Sequence, residues 1–135
     1  MKHLVFPTYE FYPVNSGGAG VFIAGAVQTL ARAGYRCTLL CHFPDPEVAQ
    51  ANAHLAKQDL GPGSVKAVSV DSLMWGRAPS PHHFESHYEL NSERFAMALV
   101  RLAQLDPFDF VEFPEYAGIG YATLRRRLER HELPG

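Results

Sequence analysis

Short apolar runs alternate with stretches of helical period along the whole chain. Leu4-Val5-Phe6 is a continuous apolar run, the pattern of a parallel strand covered on both faces. A polar, proline-containing loop follows from Thr8 to Ser16. Gly20 to Ala33 then places Ile23, Ala26, Val27 and Leu30 on one helical face, and Gly34 stops the helix. Cys37-Thr38-Leu39-Leu40-Cys41 predicts a second strand. Asp45-Pro46-Glu47 predicts a helix start with Asp45 as N-cap; Val48, Ala51, Asn52 and Leu55 form its inner stripe and Gly61-Pro62-Gly63 breaks it. Val65 to Val70 alternates, with Val68 and Val70 on one face and Ala67 and Ser69 on the other, a third strand. Asp71 to Glu85 has no period and reads as a long loop. Asn91 or Ser92 caps a helix with Phe95, Ala98, Leu99 and Leu102 inward, ended by Asp106-Pro107. Phe110 to Phe113 is a fourth strand, and a last helix from Ile119 to Arg130 buries Tyr121, Leu124 and Leu128.

Four strand–helix alternations predict an α/β fold, a doubly wound, Rossmann-like parallel sheet in a single domain over residues 1–135. The first and fourth strands should be adjacent and parallel. Leu4, Val5, Ile23, Val27, Leu39, Leu40, Val68, Leu99, Leu102 and Val111 should be buried. In such sheets ligands lie at the carboxyl ends of the strands where the strand order reverses, so the loops after Phe6, Cys41, Val70 and Phe113 should line the site.

Composition narrows the field further. The chain is 47% hydrophobic and 19% charged, an ordinary globular balance, and its formal net charge of -2 gives no reason to expect nucleic acid or an anionic membrane as partner. Cys37 and Cys41 are ~13 Å apart along one strand, beyond disulfide reach, and read as reduced core thiols. The apolar run after Met1-Lys2-His3 is too short for a signal peptide, and no run approaches the ~20 residues of a membrane span. The expectation is a cytoplasmic protein.

Gly17-Gly18-Ala19-Gly20 stands between the first strand and the first helix. Glycines there allow positive φ and close approach of a ligand to backbone N–H groups, and the helix N-terminus favours an anion, typically phosphate. A plain connecting turn needs fewer glycines. A dinucleotide fingerprint is disfavoured, because Ile23 stands at the third glycine and Cys41-His42 where an acidic residue should end the second strand. A P-loop is excluded by Val21-Phe22, where lysine and a hydroxyl residue belong.

Pro13, then Gly17-Gly18-Ala19-Gly20, then Leu30-Ala31-Arg32-Ala33-Gly34-Tyr35-Arg36-Cys37-Thr38-Leu39-Leu40, resembles the opening of family-four glycosyltransferases. Asp109-Phe110-Val111-Glu112 with Tyr116 beyond is similar to the family's fourth strand and its acidic, aromatic loop. Glycogen and starch synthases open similarly but carry lysine and aspartate around the glycine pair, where Ser16 and Val21 stand here. The resemblance implies a GT-B architecture of two Rossmann-like domains, of which this chain would be the N-terminal, acceptor-side one. It would be truncated before its fifth strand at Leu133-Pro134-Gly135 and lack the C-terminal donor-binding domain with its glutamate pair. Alone it should be inactive, and its unpaired sheet edge should promote association.

The resemblance further implies transfer of a sugar from a nucleotide-diphosphate donor to a glycan or lipid-linked acceptor with retention, in polysaccharide or glycolipid synthesis, without metal or other cofactor. Gly17, Gly18 and Gly20 would contact the donor diphosphate. Glu10, Asn15, Glu112, Glu115 and Tyr116 are acceptor-binding candidates, carboxylates for sugar hydroxyls and Tyr116 for stacking; no catalytic residue is assigned. The alternatives are a stand-alone phosphate- or nucleotide-binding module without catalysis and, less favoured, a nicotinamide-dependent oxidoreductase. His82, His83 and His87 lie near prolines that oppose a metal-binding helix; that loop, with Trp75, is a further acceptor candidate. His42 reads as a strand-end residue. Arg125-Arg126-Arg127 and Arg130 suit a helix C-terminus and a solvated face, and at most a peripheral membrane contact.

Overall fold

A computed structural model describes residues 1–15, 17–74, 86–114, 117–130 and 133. Four parallel strands form one sheet: β1 (His3–Thr8), β2 (Arg36–Cys41), β3 (Ser64–Ser69) and β4 (Phe110–Val111), in the order β3-β2-β1-β4. The helices are α1 (Gly18–Arg32), α2 (Asp45–Leu55), α3 (Val70–Met74), α4 (His87–Leu105) and α5 (Tyr121–Arg125), the last continued by a π-helical turn over Arg126–Arg130. This is the doubly wound α/β class that the alternation predicts, with β1 and β4 adjacent and parallel, Leu4 opposite Phe110 and Val5 opposite Val111. By contact density the chain divides into two compact units, Met1–Ser69 with Phe108–Glu112 and Val70–Pro107 with Phe113–Gly135.

The first unit holds the whole sheet. Phe6, Cys37, Leu39, Cys41 and Ala67 pack with Ile23 and Val27 of α1 and Val48, Ala51 and Leu55 of α2 in one apolar cluster. On the opposite face Val5, Pro7, Thr38 and Leu40 are equally buried, so β1 and β2 lie between two covered faces and their continuous apolar runs follow from that. His3 is buried there too. Arg36 donates to its Nδ1 at 2.9 Å, which leaves Nε2 to donate to Thr38 Oγ1 at 2.7 Å. Asp109 pins β4 to β1, accepting from the His3 amide while its own N–H donates to His3 O.

At the other side of the sheet, Asn52 reaches from α2 to the edge strand. Its amide donates to Ala67 O and its carbonyl accepts from Ala67 N, both at 2.9 Å. The position is read in the sequence as part of an apolar stripe, but its side chain works as a strand partner. The Gly61–Gly63 turn is wedged against the end of α1, where Gly63 N donates to Ala31 O at 2.9 Å. A Cβ on Gly63 would collide with the carbonyl oxygens of Ala31 and Tyr35 and lie 2.7 Å from Ala31 Cα.

In the second unit, Phe95, Ala98, Leu99 and Leu102 of α4 are buried as the period predicts. The start of α4 is a correction. Ser86 caps it, accepting from Glu89 N at 3.3 Å, and Ser92 lies a turn and more inside, buried. The Ser92 hydroxyl instead donates to Ile119 O and accepts from Ala122 N, both at 3.0 Å.

Other boundaries also differ. Pro44 rather than Asp45 caps α2, because its carbonyl already accepts from Glu47 N and Val48 N. Val70 opens α3 instead of closing β3, and 71–74 are helical, not loop; 75–85 lie outside the described residues. On β3 it is Ala67 and Ser69 that are buried, and Leu4, Val68 and Val111 are half-buried. Beyond Val111 the strand pairing stops, although Glu112 N still donates to Val5 O. Tyr121, Leu124 and Leu128 are exposed; Ile119, Ala122 and Thr123 are buried in their place. Tyr121 and Leu124 share a face of regular α-helix, and that face is turned to solvent; the π turn begins only at Arg126.

Both cysteines are free and buried, as the strand spacing requires. Burial pushes the Cys37 thiol up to about 11 and raises Cys41 further. A raised thiol stays protonated in the folded chain while the unfolded chain ionises, so this stability is complete below the ordinary thiol value and is lost as pH rises through the folded one. Near pH 10.5, Cys37 alone should cost about 2 kcal/mol. Urea midpoints compared near pH 8 and 10.5 should show the fall, and a Cys37→Ala/Cys41→Ala variant should show a shallower one.

Among the described residues no helix is long and apolar enough to cross a membrane.

Candidate functional site

The strand order reverses at β1, where β2 lies on one side and β4 on the other. The loop after β1 and the residue after β4 therefore share one end of the sheet, in the position where such folds take ligands. Glu112, exposed, is held beside β1 by its amide bond to Val5 O at 2.9 Å.

The long loop from Tyr9 to Gly17 is organised by its own polar groups. Phe11 anchors it, buried in the core cluster. Thr8 Oγ1 donates to Glu10 O at 2.6 Å and accepts from Glu10 N at 3.0 Å. Asn15 Oδ1 accepts from Phe11 N at 2.6 Å, and Asn15 N donates to Phe11 O at 3.1 Å, so this acceptor candidate shapes the loop. The peptide between Tyr12 and Pro13 is cis.

The loop brings Glu10 onto the N-terminus of α1, where Gly17, the N-cap, has no side chain to offer. Glu10 Oε2 accepts from Gly20 N at 3.0 Å, bringing a negative charge to the positive end of the helix. The three glycines thus have different reasons. Gly17 has φ +150°, and a Cβ on it would fall inside the Glu10 carboxylate. Gly20 is buried, with a Cβ position 3.0 Å from Glu10 Cβ. Gly18 is helical and exposed, and nothing lies within 4 Å of where its Cβ would be. Positive φ therefore belongs to Gly17, and Gly18 fronts open space.

Of the sequence candidates, the structure gathers Glu10, Gly17, Gly18 and Gly20 at one helix end. Glu10 Oε2 is engaged by Gly20 N. Glu115 and Tyr116 lie outside the described residues, as do Trp75, His82 and His83. Among the described residues no group of three or more His, Cys, Asp or Glu is placed to hold a metal. His42 packs its ring against Tyr9 at 5.4 Å between centroids. In the arginine run, Arg125 pairs with Glu129 at 3.3 Å and Arg126 with Glu93, so two of its charges are neutralised within the chain.

Sequence reasoning missed the Glu10 cap because the carboxylate comes from ten residues away, not from the N-cap position. The available signal was an acidic residue in the loop before a helix that opens on glycine alone. Removing the charge should weaken the anchoring of α1: Glu10→Gln should lower stability by about 1 kcal/mol, read as a shift in the urea midpoint.

No family model matches the chain, and comparison with curated proteins and with solved structures returned no match.

Proposed function

We propose that this chain is the acceptor-side Rossmann-like part of a nucleotide-sugar glycosyltransferase. The observation that carries the reading is the pair of Gly18 and Ala19 amides at the start of α1, next to the point where the strand order reverses. Neither amide has a partner among the described residues, and Gly18 presents no side chain to an incoming group.

An amide pair at a helix N-terminus suits the leaving diphosphate of a nucleotide sugar. Charge builds on that group as the glycosidic bond breaks, and fixed N–H donors stabilise it without reorganising. The Glu10 carboxylate on Gly20 repels a diphosphate at Gly18, so donor binding requires Glu10 to swing away from Gly20 or its charge to be neutralised. Glu112, exposed, lies beside the same strand ends as the carboxylate for an acceptor hydroxyl. The glycine-loop resemblance supports a retaining transfer to a glycan or lipid-linked acceptor, with the donor domain supplied outside these residues. The reduced, buried cysteines support a cytoplasmic setting.

The test is a transfer assay on the natural polypeptide encoded by the gene, with a panel of nucleotide sugars and with glycan and lipid acceptors. Acceptor-dependent release of nucleoside diphosphate is the expected result. Binding of nucleoside diphosphate with no release from any donor would leave a binding module without catalysis.

A further inference from the structure

Within the second unit, Tyr88 and Glu89 of α4 and Ala117, Gly118 and Tyr121 before and in α5 surround a cleft of about 370 Å³, with the buried Ser92 between them. Its frame is built by hydrogen bonds. Ser92 Oγ ties Ile119 O and Ala122 N to α4 at 3.0 Å each, and Tyr121 N donates to Gly118 O at 3.1 Å. Ala117 holds φ +59° and Gly118 φ +60°. A left-handed alanine is strained, and such strain persists where the surroundings enforce it, commonly beside ligands. Gly118 has nothing within 4 Å of its Cβ position, so this wall is bare backbone facing open space.

Two tyrosines line the cleft while 54% and 58% exposed, large apolar rings left in water. Both rings are supported: His87 lies against Tyr88 at 4.1 Å between centroids, and the Arg125 guanidinium is 5.8 Å from the Tyr121 ring. Arg125 is itself paired with Glu129, and it does not line the cleft. The described lining therefore offers two phenol rings, one carboxylate, the Ser92 hydroxyl already bonded to backbone, and backbone, with no cationic side chain. Among the described residues of the lining an anion finds no counter-charge. A sugar ring matches the set: its C–H face lies on an aromatic ring and its hydroxyls donate to a carboxylate. The volume falls in the range of small-molecule sites.

We propose that this cleft binds a neutral sugar ring, stacked on Tyr88 or Tyr121 and hydrogen-bonded through Glu89. All its described residues belong to the second unit, and none is among the glycines of α1. The proposal stands whether or not the chain takes part in sugar transfer.

Saturation-transfer NMR on the natural polypeptide tests it, using the methyl glycosides of glucose, mannose, galactose and N-acetylglucosamine in turn. At least one should receive saturation on the C–H protons of one ring face. Tyr88→Ala/Tyr121→Ala should reduce that signal about tenfold, and Tyr88→Phe/Tyr121→Phe should keep most of it. Glu89→Gln should weaken binding less than the double alanine change. Both tyrosines are more than half exposed, so the variants should fold, which circular dichroism checks. The proposal is overturned if no glycoside receives saturation, if the signal is unchanged in the folded double alanine variant, or if tetramethylammonium binds there and the glycosides do not. No nucleotide enters the experiment, so its failure and the failure of the transferase reading are separate results.

Discussion

Gly18→Val in the natural polypeptide should leave the fold intact and lower sugar transfer about a hundredfold or more. The two halves of this expectation have different causes. Gly18 sits in the first turn of α1 with helical geometry, and its Cβ position has no neighbour within 4 Å. Valine is therefore accepted by the chain, and any change in stability should stay within about 1 kcal/mol. The same open space is where a diphosphate must approach the Gly18 and Ala19 amides, and a branched side chain fills it. Loss of a preorganised donor at a developing charge costs on the order of a hundred- to a thousandfold in rate. Transfer rate measured beside circular dichroism decides the matter, with Ala19→Ser as a control that keeps the backbone unchanged. A folded Gly18→Val protein that transfers sugar at the wild-type rate would remove the phosphate role from this loop.

The same change at Gly63 should do the reverse. A Cβ there meets the carbonyl oxygens of Ala31 and Tyr35 and the Ala31 Cα, all backbone, so no side-chain rotation relieves the clash. The turn would have to leave the end of α1, breaking the Gly63 N to Ala31 O bond and disturbing the entry to β3. Gly63→Val should lose about 3 kcal/mol or more, a melting temperature lower by about 10 °C. Thermal unfolding by circular dichroism reads it directly. A variant that melts with the wild type would show that the turn has room it does not have in the structure.

These two glycines also mark how far the sequence could be read. Long periodic segments were legible: Phe95, Ala98, Leu99 and Leu102 recur on one face of α4 because that face is buried, and the runs in β1 and β2 are continuous because both faces are. The alternation alone led to the parallel sheet and to the pairing of β1 with β4. Side-chain tasks set by distant contacts were not legible. Glu10 on Gly20, Asn52 on Ala67 and Ser92 between Ile119 and Ala122 are bonds across 10, 15 and about 30 residues, and no local pattern announces them. On α5 the helical period is right but does not say which face turns inward: Tyr121 and Leu124 are exposed, and Ala122 and Thr123 are buried. In the candidate site, the sequence located the glycine loop but not the division of labour within it. Gly17 and Gly20 make room for Glu10, and Gly18 alone is left open.

The Asn52 clamp guards one edge of the sheet. A bare edge strand is a template on which another chain can lay itself, the first step towards fibrils. Ala67 is at the middle of β3, and both of its outward backbone groups are already engaged by one side-chain amide. A newcomer would have to evict that amide, with two hydrogen bonds lost before any is gained. Extension is thus opposed at the middle of β3, an edge strand of the sheet.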